Sequence, residues 1–170
     1  MTKKVLVTYA SRTGWTPGVA EAIGKSLVES GAQVDVLPMR EVSDLAPYDA
    51  VVAGSAINSA AWLPEAMEFM QARQKELAKK PFAAFLVCMT LAMRNGEKYR
   101  SHVATWLDPV RAMVHPVSEG AFAGGLEIRK MPAEVRFKFR LSVLLGAWKE
   151  GDHRNWDTIR AWAESLRPLL

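Results

Sequence analysis

Cysteine is almost missing from this chain: Cys88 is the only one in 170 residues. No internal disulfide framework can form, and a reducing cytoplasm is the expected setting. Histidine is scarce too. His102, His115 and His153 are scattered without metal-ligand spacing, so no metal site is expected. Long apolar runs are absent; the longest, Pro81 to Met93, is interrupted by Thr90 and is too short to cross a membrane. The N-terminus enters a β-type run at once, without a signal-peptide pattern. A large charge of one sign is lacking as well. The formal net charge is +4, with no obvious basic reading motif, so nucleic acid is not an expected partner. Such a surface suits anionic lipid or an acidic substrate instead.

Three catalytic signatures are also missing. The chain has no Gly-x-Gly-x-x-Gly, no P-loop lysine and no Gly-x-Ser-x-Gly around Ser11. Classical dinucleotide binding, NTP hydrolysis and triad chemistry are therefore disfavoured.

What is present reads as a globular α/β chain. Hydrophobic residues make up 49% and charged residues 24%, and the length suits one domain over 1–170. Lys3–Tyr9 is a short β-type run. Ser11-Arg12-Thr13-Gly14-Trp15-Thr16 is a hydroxyl- and glycine-bearing turn. Thr16–Ser30 then has helical spacing at Val19, Ala20, Ile23 and Leu27, and ends at Gly31. A strand–turn–helix of this kind suits an anion. Backbone N–H groups at the helix start converge on it, the helix dipole favours its charge, and Ser11, Thr13 and Thr16 add hydroxyls. Pro17 suits the first helical position, which makes Thr16 the expected N-cap.

The pattern repeats along the chain. Ala32–Leu37 alternates like a half-buried edge strand. Tyr48–Ser55 and Phe82–Cys88 are continuous apolar strands of the kind found inside parallel sheets. Val117–Ala123 is a fifth strand. Helices are expected from Leu63 or Pro64, over about Glu97–Met113, and after Trp156, where Trp156, Ile159, Ala163 and Leu166 form the buried stripe. Strands alternating with helices imply a doubly wound parallel sheet of order 2-1-3-4-5 with helices on both faces. Ligands of such sheets bind beyond the carboxyl ends of the strands. Three irregular loops converge there: Ser11–Thr16, Ser55–Trp62 and Met89–Gly96.

The stretch at about 126–151 is extra to that plan. Val135, Phe137, Phe139 and Leu141 alternate with Arg136, Lys138 and Arg140, yet Pro132, Glu134 and the run to Trp148 favour a helix. Arg129 and Lys130 add to its positive charge. The segment is read either as a cationic flank on a core-packed element or as a surface facing membrane or quinone.

The turn Ser11–Thr16 resembles the flavodoxin phosphate loop [ST]-x-T-G-x-T. Other stretches are similar to the menaquinone-dependent, FMN-containing protoporphyrinogen oxidases. Ala53-Gly54-Ser55-Ala56-Ile57 resembles their G-A-S-I turn. Thr90-Leu91-Ala92-Met93-Arg94 with Glu97-Lys98 resembles N-L-x-A-R…E-K. Phe122–Leu126, the basic insert and Asp152…Trp156 resemble F-A-G-x-L, a long insert and a D-W lead-in to the last helix. The chain departs from that family at Asn58, Ser59 and Thr90, where Arg, an aromatic residue and Asn are usual.

The resemblance implies a flavodoxin-like three-layer sandwich carrying FMN. Its phosphate would be held by Ser11, Arg12, Thr13, Gly14, Trp15 and Thr16. Its ring would lie between Ser55, Ala56, Ile57, Asn58 and Ser59 on one side and Thr90, Leu91, Ala92, Met93 and Arg94 on the other. The resemblance also implies two-electron oxidation of a reduced tetrapyrrole, with a quinone as acceptor and no side-chain acid or base. Peripheral contact with the inner face of the membrane through the basic insert goes with that expectation. The alternatives are a flavodoxin-type electron carrier, an NAD(P)H or quinone reductase, and a phosphate-binding module without flavin.

Overall fold

The computed structural model describes residues 2–170. Strand β1 (Lys4–Ala10) leads through a turn to helix α1 (Thr16–Glu29) and strand β2 (Gln33–Pro38). β3 (Ala50–Asn58) folds back on the short β4 (Ala61–Trp62), and α2 (Pro64–Leu77) returns to β5 (Phe82–Cys88). Two short helices, α3 (Arg100–Ala104) and α4 (Asp108–Met113), precede β6 (Ser118–Ala123). Then come β7 (Gly125–Leu126), α5 (Ala133–Leu144), β8 (Gly151–Asp152) and α6 (Trp156–Ser165). The main sheet runs β2-β1-β3-β5-β6, all parallel, with β4 antiparallel on β3. Counted over the parallel strands alone, this is the 2-1-3-4-5 order expected from the sequence. β7 and β8 form a separate antiparallel pair.

The central strands are apolar throughout because helices cover both faces. Val5, Val7, Val52 and Phe85 pack on α1 and α6 through Val19, Ile23, Ile159 and Leu166. Leu6, Val51, Ala84 and Leu86 pack on α2, α3 and α4 through Met70, Leu77, Val103 and Val110. Successive residues of β1 therefore serve opposite cores, as strand geometry requires. β2 is an edge strand and half-buried, as its alternation suggests.

Four local expectations are corrected. The helix expected over Glu97–Met113 is broken into α3 and α4 with 3-10 turns around them. Pro109 is the physical reason: it has no N–H to donate and its ring crowds the carbonyl one turn back. α1 begins at Thr16, with Trp15 in the N-cap position and no side-chain cap bond. Gly14, at φ +84°, completes the turn, so Thr16 lies inside the helix and is 1% exposed. The strand expected to stop at Ser55 continues to Asn58, turning the middle loop into a hairpin. Finally, Trp156 is not in the buried stripe of α6; the Arg154 guanidinium lies 4.5 Å from its ring centroid at the surface. Trp162 packs inward instead, edge-on to Phe85 and Phe122, and its Nε1–H donates to Ser118 Oγ at 3.0 Å.

One buried polar atom in β1 gives a direct test of the packing. Thr8 is 0% exposed, and its hydroxyl has no hydrogen-bond partner. Burying an unpaired hydroxyl is costly. Thr8→Val should therefore raise the unfolding free energy by about 1 kcal/mol in urea titration.

Candidate functional site

A cleft of about 360 Å³ opens at the carboxyl edge of the sheet, where β1, β3 and β5 end. Each of the three expected loops reaches it. Arg12, Thr13, Trp15 and Thr16 come from the first, and Ala56, Ile57, Asn58 and Ser59 from the second. The third contributes Thr90, with Met89 before it. The remaining expected residues lie elsewhere. Ser11 and Gly14 face a neighbouring depression beside Pro38 and Arg40. Ser55 is fully buried: its Oγ accepts from Leu63 N–H at 3.0 Å and donates to the Ala56 carbonyl at 2.8 Å, pinning the hairpin. Leu91, Met93 and Arg94 line a shallow surface away from the cleft, and Ala92 lines neither.

The first loop is arranged as an anion cradle. Gly14 N–H donates to Ser11 Oγ at 3.2 Å, which closes the turn on itself. Among the described residues, the backbone N–H groups of Arg12, Thr13 and Trp15 meet no protein acceptor. They sit at the start of a 14-residue helix whose dipole favours negative charge.

The cradle is braced from the far end of the chain. Arg154 donates from Nη1 to the Trp15 carbonyl at 3.2 Å and is ion-paired with Asp152 at 2.7 Å. Its guanidinium holds the Asp152 carboxyl below the usual range. The Arg154 guanidinium and the Lys130 ammonium lie 5.0 Å and 5.5 Å from the Trp15 ring centroid. Trp15 in turn fills the space a side chain would take at Gly125: a Cβ there would stand 2.5 Å from the indole. Neither brace is legible from spacing, because Trp15, Gly125 and Arg154 are distant in sequence.

The second loop is strained. Asn58 and Ala61 pair across a two-residue turn, with Ser59 at φ 51° and Ala60 at φ 60°. Two consecutive left-handed residues suit a tight hairpin, but they favour Asn-Gly over Ser-Ala. Such strain gathers where a binding site over-determines the backbone. Ala60→Gly should stabilise the protein by about 1 kcal/mol in thermal or urea unfolding. An unchanged midpoint would refute strain at this turn.

The far wall comes from residues outside the three loops: Val87, Cys88, Trp106, Gly124, Gly125, Met131, Pro132, Val135 and Phe139. Trp62, at the end of the middle loop, is 3% exposed and packs in the core beside α2. The segment between β7 and β8 is folded onto the site. Leu126, Ile128 and Met131 are buried under Val135, Phe139, Val143 and Trp148. Trp148 Nε1–H donates to the Met89 carbonyl at 3.3 Å, and its ring lies 5.2 Å from that of Phe139. The 126–151 segment is thus helical at its centre, and its inner face forms part of the cleft. The large apolar residues at 131, 135 and 139 were the available sequence signal. At the base of the cleft, burial pushes the Cys88 thiol up, so it is a neutral thiol at pH 7.

This lining suits an amphipathic ligand with an anionic end: free N–H donors at one side, a largely apolar wall at the other. A flavin mononucleotide fits it. The comparisons agree with the geometry. A family model, the flavodoxin domain, matches residues 6–152. The chain belongs to the flavodoxin domain family. Among solved structures, it is similar to an archaeal flavodoxin at 18% identity, covering 97% of this chain and 96% of that one, with a TM-score of 0.59. It is also similar to a Streptococcus pneumoniae flavodoxin at 16% identity, covering 98% and 99%, with a TM-score of 0.60. A Fusobacterium nucleatum flavodoxin mutant bound to flavin mononucleotide matches at 10% identity over 97% and 93%, TM-score 0.50. At these identities the structural likenesses establish the shared fold. No curated protein matches the sequence. Among the described residues, no helix is long and apolar enough to cross a membrane.

Proposed function

We propose that this flavodoxin-family protein is an FMN-dependent oxidoreductase that oxidises a reduced tetrapyrrole by two electrons, with a quinone as acceptor. The observation that carries this reading is the wall of Trp106, Met131, Pro132, Val135 and Phe139 built over the cleft. A flat apolar donor would be desolvated there against a cofactor ring. The N–H groups of Arg12, Thr13 and Trp15 would hold the phosphate. Ala56–Ser59 and Met89–Thr90 would flank the ring. FMN supplies the two-electron redox chemistry when bound. The chain's own groups bind, orient and exclude water. Cys88, neutral and buried, adds no charge at the base of the slot, and no side-chain acid or base is assigned. Peripheral contact with the inner membrane face would give the site access to quinone.

The similarity to flavodoxins favours a second reading, a one-partner electron carrier. Two measurements separate the readings. Reconstitution with FMN should give a flavin visible spectrum, followed by anaerobic oxidation of protoporphyrinogen with a water-soluble quinone. Turnover supports the proposal. Flavin uptake with reduction only through a partner reductase assigns the protein as a carrier, and a colourless protein overturns both.

A further inference from the structure

Helix α5 is apolar on two opposite faces. Val135, Phe139 and Val143 are half-buried, with Val135 and Phe139 in the wall of the cleft. Phe137, Leu141 and Leu144, at i, i+4 and i+7, begin two residues later and so lie roughly 200° round the helix. They point to solvent: Phe137 is 76% exposed, Leu141 46% and Leu144 83%, and Leu145 follows at 76%. Of the eight large apolar side chains left exposed among the described residues, these four fall within one segment. A concentration of that kind marks an interaction surface.

Charge decides the occupant. Lys138 and Arg140 flank the stripe and are exposed, and among the described residues neither has an ion-pair partner. Arg136 folds back to the Met131 and Arg129 carbonyls, and Glu127 takes up Lys130 and Arg129. Glu134 is the one acid on the helix, in its first turn. A symmetric pairing of two copies through this face would set like cations together. An anionic bilayer accepts the apolar stripe in its interface and the cations at its headgroups.

We infer that the outer face of α5, Phe137, Leu141 and Leu144 flanked by Lys138 and Arg140, docks the protein on an anionic lipid surface. This specifies the membrane contact of the proposed function, and it is tested without using that function. The intact protein is floated with vesicles of phosphatidylcholine alone or mixed with phosphatidylglycerol, at low and high salt. Binding to the anionic vesicles is expected, weakened by salt. Phe137→Ser/Leu144→Ser and, separately, Lys138→Glu/Arg140→Glu should each lower partitioning by about tenfold or more. All four side chains are exposed, so the melting temperature and FMN uptake should stay unchanged. Turnover with a water-soluble quinone should also stay unchanged, so a failure of catalysis and a failure of docking are separate results. Absence of native binding to anionic vesicles at low salt overturns the inference, as does equal binding by the variants. A lipid-free dimer that Phe137→Ser/Leu144→Ser converts to monomer also overturns it, by assigning the face to self-association.

Discussion

Gly54→Ala is expected to lower the unfolding free energy by about 3 kcal/mol, a large share of the stability of a domain this size. Gly54 lies in the middle of β3, between Tyr9 of β1 and Phe85 of β5. A methyl group there would enter the Phe85 ring. The ring cannot retreat: it is 0% exposed and packed against Phe122 and Trp162, with centroids 6.3 Å and 6.1 Å away. The added carbon must push sheet or helix apart, which close-packed interiors resist. Phe85→Leu, costly alone through its cavity, should recover part of the loss when combined with Gly54→Ala. The coupling in a double-mutant cycle should exceed about 1 kcal/mol. Additive effects in urea unfolding would show that Gly54 is not held by the ring.

The second large effect concerns the cradle. Riboflavin, which lacks the phosphate, should bind about a hundredfold or more weaker than FMN, because charge-assisted hydrogen bonds contribute about 1.5–3 kcal/mol each. Arg154→Ala should reduce that preference by about tenfold while leaving riboflavin affinity nearly unchanged, since the side chain fixes the Trp15 carbonyl and does not line the ring slot. Fluorescence quenching titrations with both ligands measure the two ratios. Equal affinities for FMN and riboflavin in the native protein would refute the cradle.

Much of the fold is written in local patterns. Continuous apolar strands, the glycine after α1 and Pro64 at the start of α2 mark elements where the structure has them, because hydrophobic burial and chain stops act over short range. The loops were harder. Ser55 lies in the right turn, but its hydroxyl is consumed by the hairpin. Arg94 lies in the expected loop, but after the 3-10 turn Thr90–Ala92 it lines the surface outside the cleft. Trp15 has the room its indole needs because Gly125, more than a hundred residues away, carries no side chain. Contacts of that range have no local signal. Helix α5 was ambiguous for a different reason: apolar residues on both its faces imitate strand alternation.

The small β7–β8 ladder has an evolutionary consequence. Gly125 pairs with Asp152 and Leu126 with Gly151, so the segment between them leaves and rejoins the chain at one point. Such a segment can lengthen, shorten or be exchanged between relatives at little entropic cost, because the ends it must join are already held together. The side of the cleft built by this segment is therefore free to diverge without disturbing the side built where β1 and β3 end.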